Sequence, residues 1–259
     1  MPVTSRQVPL ETVSTRVEYQ LDQGPGHYRI GLIALATDHA TERDFRNMSP
    51  GDEVAVFVSR VLNLNPCTVE NLRTIAPRLT EAASLILPGT RLDAIAYSCT
   101  SGTVVVGYEE IAAYIRAARP GIPCTTPITA AIAGFEKLGV RRIAVLTPYI
   151  DEVNQPICAF LENHGVSVMS LRSFNMEDDT EMARLPPTAI RAAALEADHP
   201  DAEAVFISCT AIRAAEVVQS IEDALGKPVV SSVQALYWEA LRFAGCETPI
   251  AGFGQLMRI

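Results

Sequence analysis

Three observations predict an α/β fold built from two related halves. The 259 residues are 48% hydrophobic but only 6% aromatic, and Ala, Val, Ile and Leu dominate, which is the composition of helices layered on parallel strands. Short apolar runs alternate along the chain with helix-period segments and read as successive βαβ units. A Ser-Cys-Thr sequence that closes an apolar run occurs twice, at 98–100 and 208–210. That distance suits a duplicated half better than a short-period solenoid.

Residues 1–27 show no clear period and end in Gln23-Gly24-Pro25-Gly26, a linker sequence, so they are read as an N-terminal extension of unassigned role. Strands are predicted over 28–36, 93–97, 142–147, 166–171, 204–207 and 228–231, where short apolar runs end in small or polar residues. Helices are predicted over 68–85, 108–119, 129–138, 152–164, 187–197, 211–225 and 233–244. Gly139, Gly165 and Gly226 each sit where a helix should stop and a strand should follow. The domain reading is then 28–126 for a first half holding Cys99 and 127–228 for a second holding Cys209, with 229–259 returning to the first.

The net charge of -9 and a pI near 5.0 offer nothing to a phosphate backbone, and nucleic acid is excluded as a partner class. No apolar stretch approaches the ~20 residues of a membrane span, so no membrane association is expected. Arg6, Glu11, Arg16, Glu18 and Asp22 interrupt the N-terminal region, which lacks the apolar core of a secretory signal. A cytoplasmic location is expected. The six cysteines are scattered over a chain too long to need disulfide staples and are read as free thiols.

In open α/β sheets, reactive groups collect at the carboxyl ends of strands, where the N–H groups of the following helix gather negative charge. Cys99 and Cys209 both occupy such a place, and a helix N-terminus is expected to lower a thiol from its free value of about 8.5 toward the reactive thiolate. A single cysteine there would pass as a small buried hydrophobe. Two in matching contexts point instead to proton transfer or nucleophilic attack. Cys67, Cys124, Cys158 and Cys246 lack that context and are read as structural.

The runs Ser98-Cys99-Thr100-Ser101-Gly102-Thr103 and Ser208-Cys209-Thr210-Ala211-Ile212-Arg213, with Leu146-Thr147-Pro148-Tyr149 followed by Asp151-Glu152-Val153-Asn154, resemble the aspartate/glutamate racemase superfamily. Within it they are most similar to the maleate isomerase and ectoine-utilisation A branch, of which arylmalonate decarboxylase is a relative. The resemblance spans most of residues 28–259. It implies a pseudo-twofold fold of parallel sheets flanked by helices, with an active site in the cleft between the halves. It further implies no cofactor, a small carboxylate substrate, and a homodimer or homotetramer.

In such enzymes Cys99 would add to an activated double bond or remove an α-proton while Cys209 works from the opposite face. By the same resemblance Tyr149 contacts a substrate carboxylate. Thr100, Ser101, Thr103, Thr210 and Ala211 frame it with hydrogen-bond donors.

The sequence departs from the isomerase pattern where carboxylate-binding asparagines are replaced by Asp38 and Asp179. An amide donates hydrogen bonds to a carboxylate, whereas an ionised Asp only accepts them. The expected substrate therefore has one carboxylate and a cationic or N–H-rich end, as in ectoine-type cyclic amidines, rather than two carboxylates. The alternative reading is that Asp38 caps a helix and Asp179 sits solvated on a loop. His39 is a candidate base beside Cys99, and Arg213 a candidate carboxylate ligand or exposed helix cation. The four histidines show no ligand spacing, so no metal is expected. A decarboxylase or lyase, and a non-catalytic ligand-binding protein, remain the competing readings.

Overall fold

The computed structural model describes residues 12–259. Two four-stranded, all-parallel sheets form its frame. The first contains β1 (Tyr28–Leu35), β2 (Val54–Val61), β3 (Ala94–Tyr97) and β4 (Cys124–Thr125), in the order β2-β1-β3-β4. The second contains β5 (Arg142–Tyr149), β6 (Ser167–Met176), β7 (Ala204–Ile207) and β8 (Val229–Ser231), in the order β6-β5-β7-β8. Both halves share one strand order, so β3 and β7, which carry the two cysteine motifs at their carboxyl ends, hold equivalent places beside the leading strands β1 and β5.

The central strands form because both of their faces are covered. Ile143, Ala144, Val145 and Leu146 of β5 are essentially inaccessible, as are Ala204 to Ile207 of β7, which is why they read as unbroken apolar runs rather than alternating ones. The covering helices are α1 (Thr41–Asn47), α2 (Val69–Arg73), α3 (Leu79–Ser84), α4 (Thr100–Val106), α5 (Tyr108–Ala118), α6 (Pro127–Leu138), α7 (Asp151–Asn163), α8 (Asp179–Met182), α9 (Pro187–Ala197), α10 (Val218–Leu225) and α11 (Ser232–Ala244).

Helix α6 starts with a Thr126/Thr129 capping box and Pro127 in its first turn, and ends on Gly139 in the left-handed region. Helix α11 is opened by a Ser231/Gln234 capping box and buried on almost every side. It packs on α6 and reaches β1, β3, β4 and β8, so it lies between the two sheets. Among the described residues no helix is long and apolar enough to cross a membrane.

Some elements differ from expectation. Strand β2 and the two-residue β4 are additional. The helix expected over 68–85 is split into α2, a 3-10 turn at Ala76–Arg78 and α3, because Pro77 lacks the N–H that would carry the helix onward. The helix expected from residue 211 begins only at Val218, after a 3-10 turn at Ala215–Val217. Strand β8 pairs with β7 in the second sheet, three residues beyond the expected limit of that half.

Candidate active site

The site is built outward from the ends of β3 and β7. Cys99 is the N-cap of α4, and its sulfur accepts the Gly102 N–H at 3.2 Å, taking the place that a Ser or Asp oxygen would hold. Glycine is required at 102 because a Cβ there would stand 2.7 Å from the Cys99 sulfur and 3.0 Å from the Tyr97 hydroxyl. In the second half, the Cys209 sulfur accepts the Ala211 N–H at 3.3 Å. Cys209 has a φ of +117°, a conformation ordinarily left to glycine and one that concentrates at functional sites.

The two motifs are tied directly to each other. The Thr210 hydroxyl donates to the Ser98 carbonyl at 3.2 Å. From the other direction, the Thr100 hydroxyl donates to Ser232 Oγ at 2.9 Å, and the same oxygen receives the Cys209 N–H at 3.0 Å. Ser232, the first residue of α11, therefore joins both halves, bonded to Cys209 itself and to Thr100, the residue after Cys99.

Around this junction the Tyr149 hydroxyl lies beside Cys209 and the Tyr97 hydroxyl beside Cys99, each favouring the thiolate of its neighbour. Tyr149 is buried at the end of β5 and is held there by Asn154. The Asn154 side chain donates to the Tyr149 carbonyl at 2.9 Å and accepts the Thr147 hydroxyl at 2.5 Å.

Both thiols are buried, and burial pushes Cys99 up to about 11 and Cys209 up to about 12. This corrects the expectation of lowered values. The N–H and hydroxyl donors do favour the thiolates, but removing the sulfurs from water outweighs them. For Cys209 the expected helix N-terminus is also absent, since α10 starts nine residues later. The Asp179 carboxylate adds to the upward push on both.

Asp179 itself is held between the halves. Its Oδ2 accepts the Thr37 hydroxyl at 3.1 Å and the Asn63 amide at 2.9 Å, while its N–H donates to Asn65 Oδ1 at 3.1 Å. Its pKa is raised, chiefly by burial. Among the described residues no protein donor reaches Asp179 Oδ1.

The structure gives other roles to several expected site residues. Asp38 closes its own turn: Oδ1 accepts the N–H groups of Ala40 and Thr41 at 2.8 Å each, and Oδ2 accepts the Thr41 hydroxyl. Its carboxylate is thus engaged as a cap rather than turned toward a ligand. The hydroxyl of Thr103 donates to the Cys99 carbonyl at 2.7 Å, and that of Thr100 to Ser232, so neither is free to frame a substrate. His39 is exposed, and the buried Cys99 sulfur takes its hydrogen bond from Gly102 instead. Arg213 donates to the Leu185 carbonyl at 3.0 Å and has a second, buried N–H without a partner.

Sequence reasoning also missed residues. Cys67, read as structural, has its sulfur 3.9 Å from Ser101 Oγ, the same distance as Cys99, so Ser101 stands between two thiols. Thr37, Asn63 and Ser232 were missed because only tertiary folding unites them with the motifs. Tyr97 had a signal, as the residue two positions before Cys99 in the repeated run. Among the described residues no cluster of three or more His, Cys, Asp or Glu could hold a metal.

Known proteins match this chain almost from end to end. The family model of arylmalonate decarboxylase matches residues 30–257. The arylmalonate decarboxylase of Bordetella bronchiseptica is 33% identical over 212 residues, covering 77% of this chain and 85% of that protein. The maleate isomerase of Geobacillus stearothermophilus is 24% identical over 245 residues, 89% of this chain and 97% of that protein.

Among solved structures, a variant of the maleate cis-trans isomerase of Nocardia farcinica with a covalently bound succinylcysteine intermediate superposes with a TM-score of 0.81 at 22% identity, over 89% of this chain and 98% of that one. A liganded arylmalonate decarboxylase, with one glycine changed to cysteine and one cysteine to serine, gives 0.79 at 29% identity, over 88% and 98%. With a family model matched over nearly its whole length and a relative at one-third identity, the chain belongs to the arylmalonate decarboxylase family, whose fold it shares with the maleate isomerases.

Proposed function

We propose that the protein is a cofactor-independent isomerase that uses Cys99 and Cys209 on opposite faces of a small carboxylate substrate. The observation that carries this reading is the double cross-link between the motifs, Thr210 to Ser98 and Thr100 through Ser232 to the Cys209 N–H. It fixes both strand ends against one another at the junction of the halves. Cys99, whose sulfur caps α4, acts as base or nucleophile, and the Cys209 thiol returns a proton from the other side. The leading N–H groups of α4, at Thr100 and Ser101, have no helical acceptor and face charge that develops on the substrate carboxylate.

Asp179 sets the substrate class within this reading. An ionised, buried carboxylate opposes a second substrate carboxylate and favours a cationic or N–H-bearing end, as in ectoine-type amidines and diamino acids. A cation seated there also offsets the Asp179 charge that adds to the upward push of burial on both thiols, so substrate favours the thiolates as it binds. A panel of ectoine, hydroxyectoine, diaminobutyrate, aspartate and maleate tests this by direct binding. The nitrogen-bearing ligands are expected to bind more tightly, and tighter binding of maleate or aspartate contradicts the assignment.

A decarboxylase is the second reading, favoured by the identity to the Bordetella enzyme. Against it, this chain carries both cysteines natively, whereas the solved decarboxylase variant gained one by substitution at a glycine. α-Deuterium exchange in heavy water separates the two. An isomerase loses interconversion in Cys99→Ala and in Cys209→Ala alike, while a one-cysteine decarboxylase is insensitive to one of them. Turnover untouched by either change would favour a binding protein.

A further inference from the structure

Residues 1–27 read as an extension without period, yet from Val13 to Asp22 polar and strand-forming residues alternate without a break. Val13, Thr15, Val17, Tyr19 and Leu21 take the odd positions, and Ser14, Arg16, Glu18, Gln20 and Asp22 the even ones. This is the period of a half-buried β-strand made from β-branched and aromatic residues. Among the described residues the segment joins neither sheet, and Val13, Val17, Tyr19 and Leu21 are 71% to 90% exposed. A strand with a greasy face and no sheet is stable only once another edge takes it up.

The molecule presents such an edge. The strands that end the two sheets are β2, β4, β6 and β8; α11 reaches β4 and β8, α3 reaches β2, and α7, α8 and α9 reach β6. They differ in character. Between residues 24 and 259 the exposed large hydrophobics are Val58, Leu62, Leu64, Leu85, Phe243 and Ile259. The first four lie on β2, directly after it, or on the α3 side of it, and none lies on β6. Beside β2 runs a groove of about 300 Å³ lined by Phe45, Val54, Val56 and Val58 with Glu42 and Arg46. On its other face Arg78 and Glu81 offer both signs of charge, complementary to Glu18 and Arg16 of the segment.

Among the described residues the segment forms no strand pairing with its own β2. Its exit is fastened: Asp22 accepts the Gly24 N–H at 2.7 Å, and the buried Arg29 side chain donates to the carbonyls of Gln23 and Gly26. Gly26 packs so closely on Ala55 that a Cβ there would stand 2.4 Å from the alanine methyl.

We propose that residues 13–21 add as an edge strand to β2 of a second copy of this chain, reciprocally about a twofold axis. The backbone of each segment pairs with the open side of β2, and Val17, Tyr19 and Leu21 cover the groove beside Phe45. This does not depend on the catalytic reading.

Light scattering on the eluting full-length protein, across a hundredfold range of concentration, is expected to give twice the chain mass. Val17→Lys with Tyr19→Lys, in a region that contributes nothing to either core, is expected to halve that mass while leaving the circular dichroism and the melting transition unchanged. A native protein that is monomeric throughout overturns the proposal, as does a dimer that persists in the double variant. A Tyr19→Cys chain mixed with a Val58→Cys chain of different mass is expected to form a disulfide between the two. If the double-cysteine chain instead closes only within itself, the strand is folding back on its own sheet and the exchange is wrong.

Discussion

The two cysteine motifs occupy the same place in two sheets of identical strand order, yet their surroundings differ. After Cys99 the chain turns at once into α4, and the thiol is the helix cap, pressed against Gly102 with 3.2 Å to its N–H. After Cys209 the chain makes an irregular turn from a left-handed backbone, and the next α-helix waits until Val218. The first thiol therefore combines a helix N-terminus with a neighbouring tyrosine, and the second has a tyrosine and one N–H. Cys99 is pushed to about 11 and Cys209 to about 12. The sulfurs hold equivalent places at the ends of β3 and β7, while the residues that follow give them different hydrogen-bond donors.

The strongest test of that asymmetry is to remove each sulfur. Cys99→Ala and Cys209→Ala are each expected to lower interconversion by at least about 10³-fold. Cys209→Ala is expected to retain proton exchange on one face, which Cys99 performs, whereas Cys99→Ala loses exchange on that face. Exchange followed by NMR in heavy water distinguishes them, and identical residual behaviour would erase the difference between the halves.

Next in size, Gly102→Ala forces the Cys99 sulfur or the Tyr97 ring to move from a 2.7 Å encounter. It is expected to lower kcat by about 10²-fold through misplacement of one reacting atom, with little change in KM. The thiol of Cys209 should label with iodoacetamide at its native rate in that variant.

Asp179→Asn sharpens the comparison because the carboxylate raises both thiols. Its removal is expected to lower both values, so that alkylation at fixed pH speeds up at Cys99 and Cys209 together and the rising limb of the pH–rate profile moves toward acid. An unchanged profile would show that Asp179 does not act on the thiols.

Smaller effects are expected in stability. Ser232→Ala leaves the buried Cys209 N–H and the Thr100 hydroxyl without a partner, a loss of about 1–3 kcal/mol measurable by denaturant unfolding. The pH dependence follows from the sign of the thiol shifts. Both folded-state values lie above the ordinary 9.0, so their contribution to stability is complete below pH 9 and is lost as pH rises through about 11 and 12. A fall of several kcal/mol is expected across that window, about 1.4 kcal/mol for each pH unit by which each thiol is raised, and it should shrink in the variant lacking both sulfurs.

Much of this arrangement was legible in the sequence because it is written in local patterns. The strand ends at Tyr97 and Ile207 are where apolar runs meet Ser-Cys-Thr, and Gly139 and Gly226 mark helix ends by the left-handed geometry they adopt. What the sequence concealed is non-local. Thr37, Asn63 and Asp179 are hydrogen-bonded to each other from three separate stretches, and Cys67 is brought to Ser101 by a loop that carries no motif.

The direction of the thiol shifts was misread for a related reason. A helix N-terminus can be seen in sequence, but the depth of burial that overrides it is set by the packing of both halves. Asp38 misled because an acid in a family asparagine position reads as a specificity change, while its oxygens close a local turn. The alternation over residues 13–22 is weak as a sequence signal because no adjoining strand in sequence forms a hairpin with it.

The proposed catalysis requires the nearness of the Cys99 and Cys209 sulfurs to one another at the junction of the halves. Treatment of the native protein with a short bis-electrophile such as dichloroacetone, followed by peptide mass mapping, measures it. The account predicts a single bridge joining the peptide of Cys99 to that of Cys209, with loss of turnover and protection by a bound substrate. Two separate adducts, or a bridge that runs from Cys99 to Cys67 and leaves Cys209 free, would contradict it.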